Sequence, residues 1–262
     1  MSEYRDPRIA EAKMFELSEL IKRVGYDNPE VANRYYQLRS REGLEPNIVS
    51  HFEKLFNQLI PADGITIDSE KKPLSDCTVL EFGSGPGHVS EVLADKFGQV
   101  IAVDKAQAMV DFVNDKFSSG GKIRALRGEF GGRIPAEDQS VEAVVSLNTL
   151  DELLPQDEDN YLKEIARVVK SGGFALINRV VAANNLAMKD KFERERKSEI
   201  ENLDPNYPQR QYVFINSTLE ERLKGLLKNT GIEPTVESMD DPADHRYSVV
   251  KITFIKSKSN EA

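Results

Sequence analysis

Cysteine is almost missing from this chain: Cys77 is the one thiol in 262 residues. That excludes an intramolecular disulfide framework and a cysteine-rich zinc site. No run of about 18 apolar residues occurs, so no membrane-spanning helix is expected. No internal repeat or low-complexity block interrupts the chain. The opening Met-Ser-Glu-Tyr-Arg-Asp lacks the apolar stretch of a signal peptide, and a cytoplasmic protein is the expectation. Positive charge is in deficit as well, with 35 basic residues against 44 acidic ones and a net charge of −9. Phosphate contacts supply most of a protein's affinity for nucleic acid, so this balance disfavours that partner. It does nothing against a cationic or neutral small molecule.

What is present is enough apolar material, 39% of residues, for one core or one core with a cap. Residues 1–75 read as a helical cap. Ile48, Phe52, Leu55, Phe56 and Leu59 fall at helical spacing behind Glu45-Pro46, and Pro61-Ala62-Asp63-Gly64 breaks the pattern. Residues 76–180 alternate short apolar strands (79–82, 100–103, 123–126, 143–147 and 174–177) with amphipathic helices that end at Gly98, Gly120-Gly121 and Gly172-Gly173. Strict alternation of this kind means a parallel sheet covered on both faces. Behind it come a charged run from Lys189 to Glu201, a helix opened by Ser217-Thr218-Leu219-Glu220, and two closing strands, 233–239 and 247–255. The expected fold is therefore α/β, doubly wound and Rossmann-like, with a mostly parallel seven-stranded sheet and helices on both faces. Residues 76–262 form its main domain, with a lid inserted at 181–216.

Glu81-Phe82-Gly83-Ser84-Gly85-Pro86-Gly87 stands where the first core strand gives way to a helix. Glycines there let the backbone turn sharply and approach a ligand with no Cβ in the way. Ligands of doubly wound sheets bind outside the carboxyl ends of the strands, near the switch in strand order. Glu81 lies inside the strand end, where a charge is costly unless it binds something. Asp104 ends the next strand, 21 positions after Gly83, and a carboxylate there can accept both hydroxyl hydrogens of an adenosine ribose. A tight turn in any α/β protein is the plain reading of the loop alone. The spacing Gly-x-Gly-x-Gly brings the third glycine one residue too early for a dinucleotide fingerprint, and His88 stands in its place.

From Thr78 to Ile177 the sequence resembles the core of the class I S-adenosylmethionine (SAM)-dependent methyltransferases, of the small-molecule type. The family's first motif, an acidic residue before Gly-x-Gly-x-Gly, is matched by Glu81 to Gly87, and its acidic ribose-binding residue by Asp104, with Lys105 and Met109 just beyond. The resemblance implies that Glu129 meets the adenine amine and that Phe130 walls the adenine, although Asp is commoner at the first of these. It also implies that Asn148, Thr149 and Leu150 run under the methionine part of SAM. The run from Arg167 to Gly173 is similar to the family's helix end before strand five. The family also implies an antiparallel last strand inserted into the sheet, which would be 247–255. A Tyr and an Arg ahead of the core often close over the methionine end of SAM, and Tyr36 and Arg41 are the matching candidates. An exposed charged helix with aromatics packed beneath it accounts for that run equally well.

The implied cofactor is SAM, and the implied reaction is in-line displacement of its methyl group by an O, N, S or C nucleophile of a small molecule. No catalytic base emerges from the three histidines, His51, His88 and His245, and no metal-ligand cluster is visible. The loop Asn148-Thr149-Leu150-Asp151 lacks the Pro-Pro-aromatic pattern of enzymes that methylate base amino groups. No cysteine follows strand four, as cytosine C5 enzymes require. A protein acceptor stays open. So do a nicotinamide oxidoreductase, against which the early third glycine counts, and a non-catalytic binding subunit on the same fold.

Overall fold

The computed structural model describes residues 7–40, 47–129, 131–147, 149, 153, 155–180, 217–240 and 247–256. The chain starts with helices α1 (Pro7–Val24), α2 (Pro29–Arg39) and α3 (Asn47–Leu59) and a small hairpin, β1 (Ile65–Ile67) and β2 (Glu70–Lys72). The alternating region follows: β3 (Thr78–Phe82), α4 (His88–Lys96), β4 (Gln99–Asp104), α5 (Gln107–Phe117), β5 (Ile123–Arg127), β6 (Val141–Ser146), α6 (Pro155–Val168) and β7 (Val169–Val180). Helix α7 (Ser217–Leu227) and strands β8 (Ile232–Asp240) and β9 (Tyr247–Lys256) complete the described chain.

Seven strands form one sheet in the order β5-β4-β3-β6-β7-β9-β8. The five from β5 to β7 are parallel, and β9 runs antiparallel between β7 and β8. This is the doubly wound sheet and the inserted last strand that the sequence led us to expect. From β3 the chain winds outward through β4 and β5, then crosses back to β6 on the other side of β3. The carboxyl ends of β3 and β6 are therefore the switch point, where side connections diverge and leave a crevice.

The central strands are mostly apolar because both their faces are covered, with Glu81 in β3 and Glu142 in β6 as buried exceptions. Leu80, Phe82, Ile101, Val103 and Val144 pack on one face with Leu162 and Ile165 of α6 and with Leu219, Leu223 and Leu227 of α7. Val79, Val100, Ala143 and Val145 pack on the other with Phe52, Leu55 and Phe56 of α3 and with Val89, Val92 and Leu93 of α4. Each fully buried side chain of this kind contributes roughly 1.5–3 kcal/mol. Helix α3 is thus one of the helices that cover the sheet. Helices α1 and α2 form a separate apolar cluster, Leu17, Leu20, Val31, Ala32 and Leu38, against Ala106 and Met109 of the β4–α5 region.

One expectation needs correcting. Residues 65–72 fall in the zone read as helical, yet they pair as a hairpin, Ile65 with Lys72 and Ile67 with Glu70. Its strands are three residues each, too short to show a period. No helix among the described residues is long and apolar enough to cross a membrane. The 181–216 segment, expected as a lid, lies outside the described residues.

Candidate functional site

The three glycines after β3 do different work. A Cβ on Gly83 would lie 2.1 Å from Thr149 Oγ1, so Gly83 lets the loop after β6 close against the loop after β3. Thr149 itself donates to the Phe82 carbonyl at 3.2 Å, and Ser146 donates to the same carbonyl at 3.1 Å. A Cβ on Gly87 would lie 2.9 Å from Val113 of α5, so this glycine brings α4 close to α5. Gly85, with φ of 52°, has nothing within 4 Å of where its Cβ would be. It needs to be glycine for its left-handed backbone, and it borders open space at the switch point.

Asp104 is held at the end of β4, 9% exposed. Its Oδ2 accepts the Gly85 N–H at 2.8 Å and its Oδ1 accepts the Ala106 N–H at 2.9 Å. The first bond fixes the loop to the strand, and the second helps open α5. The Lys105 N–H also bonds this carboxylate, and of its roughly four acceptor positions one remains for a further donor. Burial pushes its pKa up, against the lowering effect of those N–H groups.

Glu81, 3% exposed, sits beneath the loop and accepts the Ser90 hydroxyl of α4. Burial, with the Asp104 charge adding to it, pushes its carboxyl up to about 8. Ser84 is also buried. These two residues brace the loop from behind, and Gly85 and Asp104 border the space in front of it.

Helix α2 reaches the same place. The Tyr36 hydroxyl donates to Glu91 of α4 at 2.9 Å, and its ring lies 5.4 Å from that of Phe112 in α5. The Tyr35 ring lies 5.9 Å from the His88 ring, and the Arg39 guanidinium sits 5.3 Å over Tyr35. Arg39 Nε and His88 Nδ1 are buried and have no hydrogen-bond partner among the described residues. Burial, and then the Arg39 charge, hold His88 down at about 4, so its imidazole is neutral at neutral pH. The α1–α2 turn is docked by Asp27, whose Oδ1 accepts the Ala108 N–H at 2.8 Å and caps α5 from outside.

The other expected residues are placed less centrally. Lys105 is exposed, and its carbonyl accepts from Arg127 at 3.2 Å. Met109 is buried against α1 and α2, where it serves the packing of the N-terminal helices. Glu129 is exposed and pairs loosely with Arg127 at 3.6 Å. Phe130, Arg41, Asn148, Leu150, Asp151 and His245 lie outside the described residues. Arg39 was missed although it stands in the same run: Tyr35 and Arg39 are four apart, hence on one face of a helix. Among the described residues no three His, Cys, Asp or Glu side chains gather as metal ligands.

Comparison with known proteins agrees with this geometry. A family model described as a methyltransferase domain matches residues 79–173. A Mycobacterium tuberculosis protein named as an S-adenosylmethionine-dependent methyltransferase is 30% identical over 100 residues, 38% of this chain and 34% of that one. The cypemycin N-terminal methyltransferase of a Streptomyces species is 30% identical over 135 residues, 50% of this chain and 53% of the relative. An rRNA adenine N-6-methyltransferase of Bacillus licheniformis is 28% identical over 98 residues, 36% of this chain and 31% of its own. The match to these curated relatives thus spans from 31% to 53% of their length. A crystal structure from Methanococcus maripaludis, described as a SAM-dependent methyltransferase, superposes with a TM-score of 0.54 at 21% identity, covering 89% of this chain and 96% of that one. At that identity the likeness is one of fold. An rRNA enzyme among the relatives removes the force of the charge argument against nucleic acid, because an acidic chain can share this core. Residues 79–173 thus match a methyltransferase domain, and over that stretch the likenesses support a class I SAM-dependent methyltransferase.

Proposed function

We propose that the chain is a SAM-dependent methyltransferase whose acceptor is a small molecule, with the cofactor lying across the carboxyl ends of β3 and β4. The observation that carries the cofactor half is the open space beyond Gly85, next to a buried Asp104 carboxylate that keeps acceptor capacity for a further donor. A cofactor with a ribose diol fits that donor and acceptor pattern, and its closest approach falls where a side chain is missing.

Bound SAM supplies a methyl group on a positively charged sulfur, a good leaving group for in-line displacement. The chain's own task is then to hold and orient. Asp104 takes the ribose hydroxyls, and the Gly83–Gly87 backbone lets the cofactor lie close. Glu81 and Ser90 keep the loop rigid from behind. Arg39 supplies the cation for the carboxylate at the amino-acid end, with Tyr35 and Tyr36 fixing the helix that carries it. The rate enhancement rests mainly on proximity and alignment, which can account for about 7–11 kcal/mol of a barrier. His88, neutral at physiological pH, adds no second positive charge beside a cationic cofactor.

A small acceptor is supported by the N-terminal helices docked beside the loop through Asp27 and Tyr36, and by the absence of Pro-Pro after Asn148. The relatives named as an rRNA adenine N-6-methyltransferase and an N-terminal methyltransferase favour a macromolecular acceptor as the second reading. Arg39→Gln tests the cofactor's orientation. It should weaken SAM binding about tenfold or more, the loss of a charge-assisted pair, and leave adenosine binding unchanged, because adenosine lacks the carboxylate. Equal losses for both ligands would refute the assignment of Arg39.

A further inference from the structure

Where α2 meets the start of α4, two nitrogens are left over. Arg39 Nε and His88 Nδ1 are cut off from solvent, and neither has a hydrogen-bond partner among the described residues. Both border Tyr35: the Arg39 guanidinium sits 5.3 Å from the centre of its ring, and the His88 ring lies 5.9 Å from it, centre to centre. Among the described residues no carboxylate pairs with Arg39, whose Nη2 lies 4.0 Å from the Met14 sulfur. Glu91, three residues along α4 from His88, accepts the Tyr36 hydroxyl at 2.9 Å. Native folds leave few buried polar atoms unpaired, and each one asks for a ligand, an ion or a water. Here two of them share one niche, beside the glycine loop.

Arg39 Nε can only donate, so the group that satisfies it must accept. An anion in that place would be repelled by a lone pair on His88 Nδ1. Both atoms are satisfied together when Nδ1 carries the imidazole's proton and one two-oxygen acceptor spans the two N–H groups. The surroundings favour negative charge as well. His88 is the first residue of α4, and its Gly87 N-cap supplies no side-chain cap, so the positive end of the helix dipole is left without an anionic neighbour of its own. Burial and the Arg39 charge keep the imidazole neutral. His88 can therefore offer a hydrogen without adding a charge.

We propose that His88 is a specificity residue for the cofactor, its Nδ1–H and the Arg39 Nε–H together taking the two oxygens of the carboxylate at the amino-acid end of SAM. Arg39 supplies the charge. His88 supplies a second, directional contact that fixes the amino-acid arm between α2 and α4, and it separates a cofactor with a free carboxylate from one without. The assignment rests on the SAM reading of the crevice.

The test is calorimetric titration of the full chain, at neutral pH, with SAM and with decarboxylated SAM. His88→Phe and His88→Asn are titrated alongside. Phenylalanine keeps a ring against Tyr35 and removes both nitrogens. Asparagine loses the ring but can place its amide N–H where Nδ1 stood. His88→Phe should weaken SAM about tenfold, as expected for one lost hydrogen bond to a charged group, and leave decarboxylated SAM as in the parent, which also shows that the variant keeps its fold. His88→Asn should bind SAM with an affinity nearer the parent's than that of His88→Phe. SAM affinity unchanged in His88→Phe would overturn the proposal, and so would equal losses for both ligands or an asparagine variant as weak as the phenylalanine one. A parent that binds decarboxylated SAM as tightly as SAM would remove the carboxylate contact while leaving the SAM crevice in place. A parent that binds neither would overturn the SAM reading itself, and His88's role with it.

Discussion

At the amino end of the sheet Glu142, 3% exposed, accepts the Thr78 N–H at 2.8 Å and the Lys170 ammonium at 2.5 Å, with Lys72 at 3.6 Å. At the carboxyl end Glu81 is equally buried but accepts a serine hydroxyl, and Asp104 accepts backbone N–H groups; neither forms an ion pair among the described residues. A buried carboxylate matched by cations ties strands together. A buried carboxylate left without one is pushed up by desolvation and gains most from any ligand that brings donors or positive charge. The same residue type, at the same depth in the same sheet, thus ties strands together at one end and lies unmatched beneath the proposed cofactor site at the other.

The contrast can be broken from either side. The largest effect is expected at Gly85→Val. A β-branched side chain there is forced into a left-handed conformation and fills the open space, so SAM affinity should fall more than about 100-fold. Circular dichroism should show helical content largely kept, and titration should show the loss. Retained binding would mean that the loop is only a turn. Glu142→Ala should act on stability alone. Removing one partner of a buried pair costs about 3–5 kcal/mol, read as a lowered denaturation midpoint, while SAM affinity of the folded protein stays as it was. Asp104→Ala should weaken SAM by about 10- to 100-fold, since hydrogen bonds to a charged group are worth about 1.5–3 kcal/mol. Unchanged affinity would remove the ribose assignment.

The smallest effect is one of pH. Burial holds the Glu81 carboxyl up at about 8, above its ordinary value of 4.5. Between those values the unfolded chain gives up this proton more readily than the folded one does. The contribution of Glu81 is therefore fully present below the unfolded value and is lost as pH rises through the folded one. Glu81→Gln should flatten that decline, and a change of about 1 kcal/mol would move the melting temperature by roughly 2–4 °C. Melting curves across the window check it, and parallel pH profiles for parent and variant would show that Glu81 is not the group responsible.

The sheet was legible in the sequence because its central strands are buried on both faces and read as short, mostly apolar runs, and the loop because Gly-x-Gly-x-Gly follows one of them. Asp104 was legible from its interval. The β1–β2 hairpin was not, since its strands are short and Glu70-Lys71-Lys72 is polar. Contacts between distant segments were also invisible. Asp27 caps a helix 81 residues away, Gly83 owes its identity to Thr149, and Met109 serves the N-terminal helices. Arg39 was not picked out because its place beside Tyr35 follows from helical phase, four residues along one face of α2, while Arg41 lies outside the described residues.

The most direct test of the account is calorimetric titration of the purified chain with SAM, S-adenosylhomocysteine and NADH in parallel. Saturable binding of the first two with NADH silent is the result expected for open space at Gly85 beside the Asp104 carboxylate. NADH binding alone, or silence from all three, would contradict a SAM site at the carboxyl ends of β3 and β4.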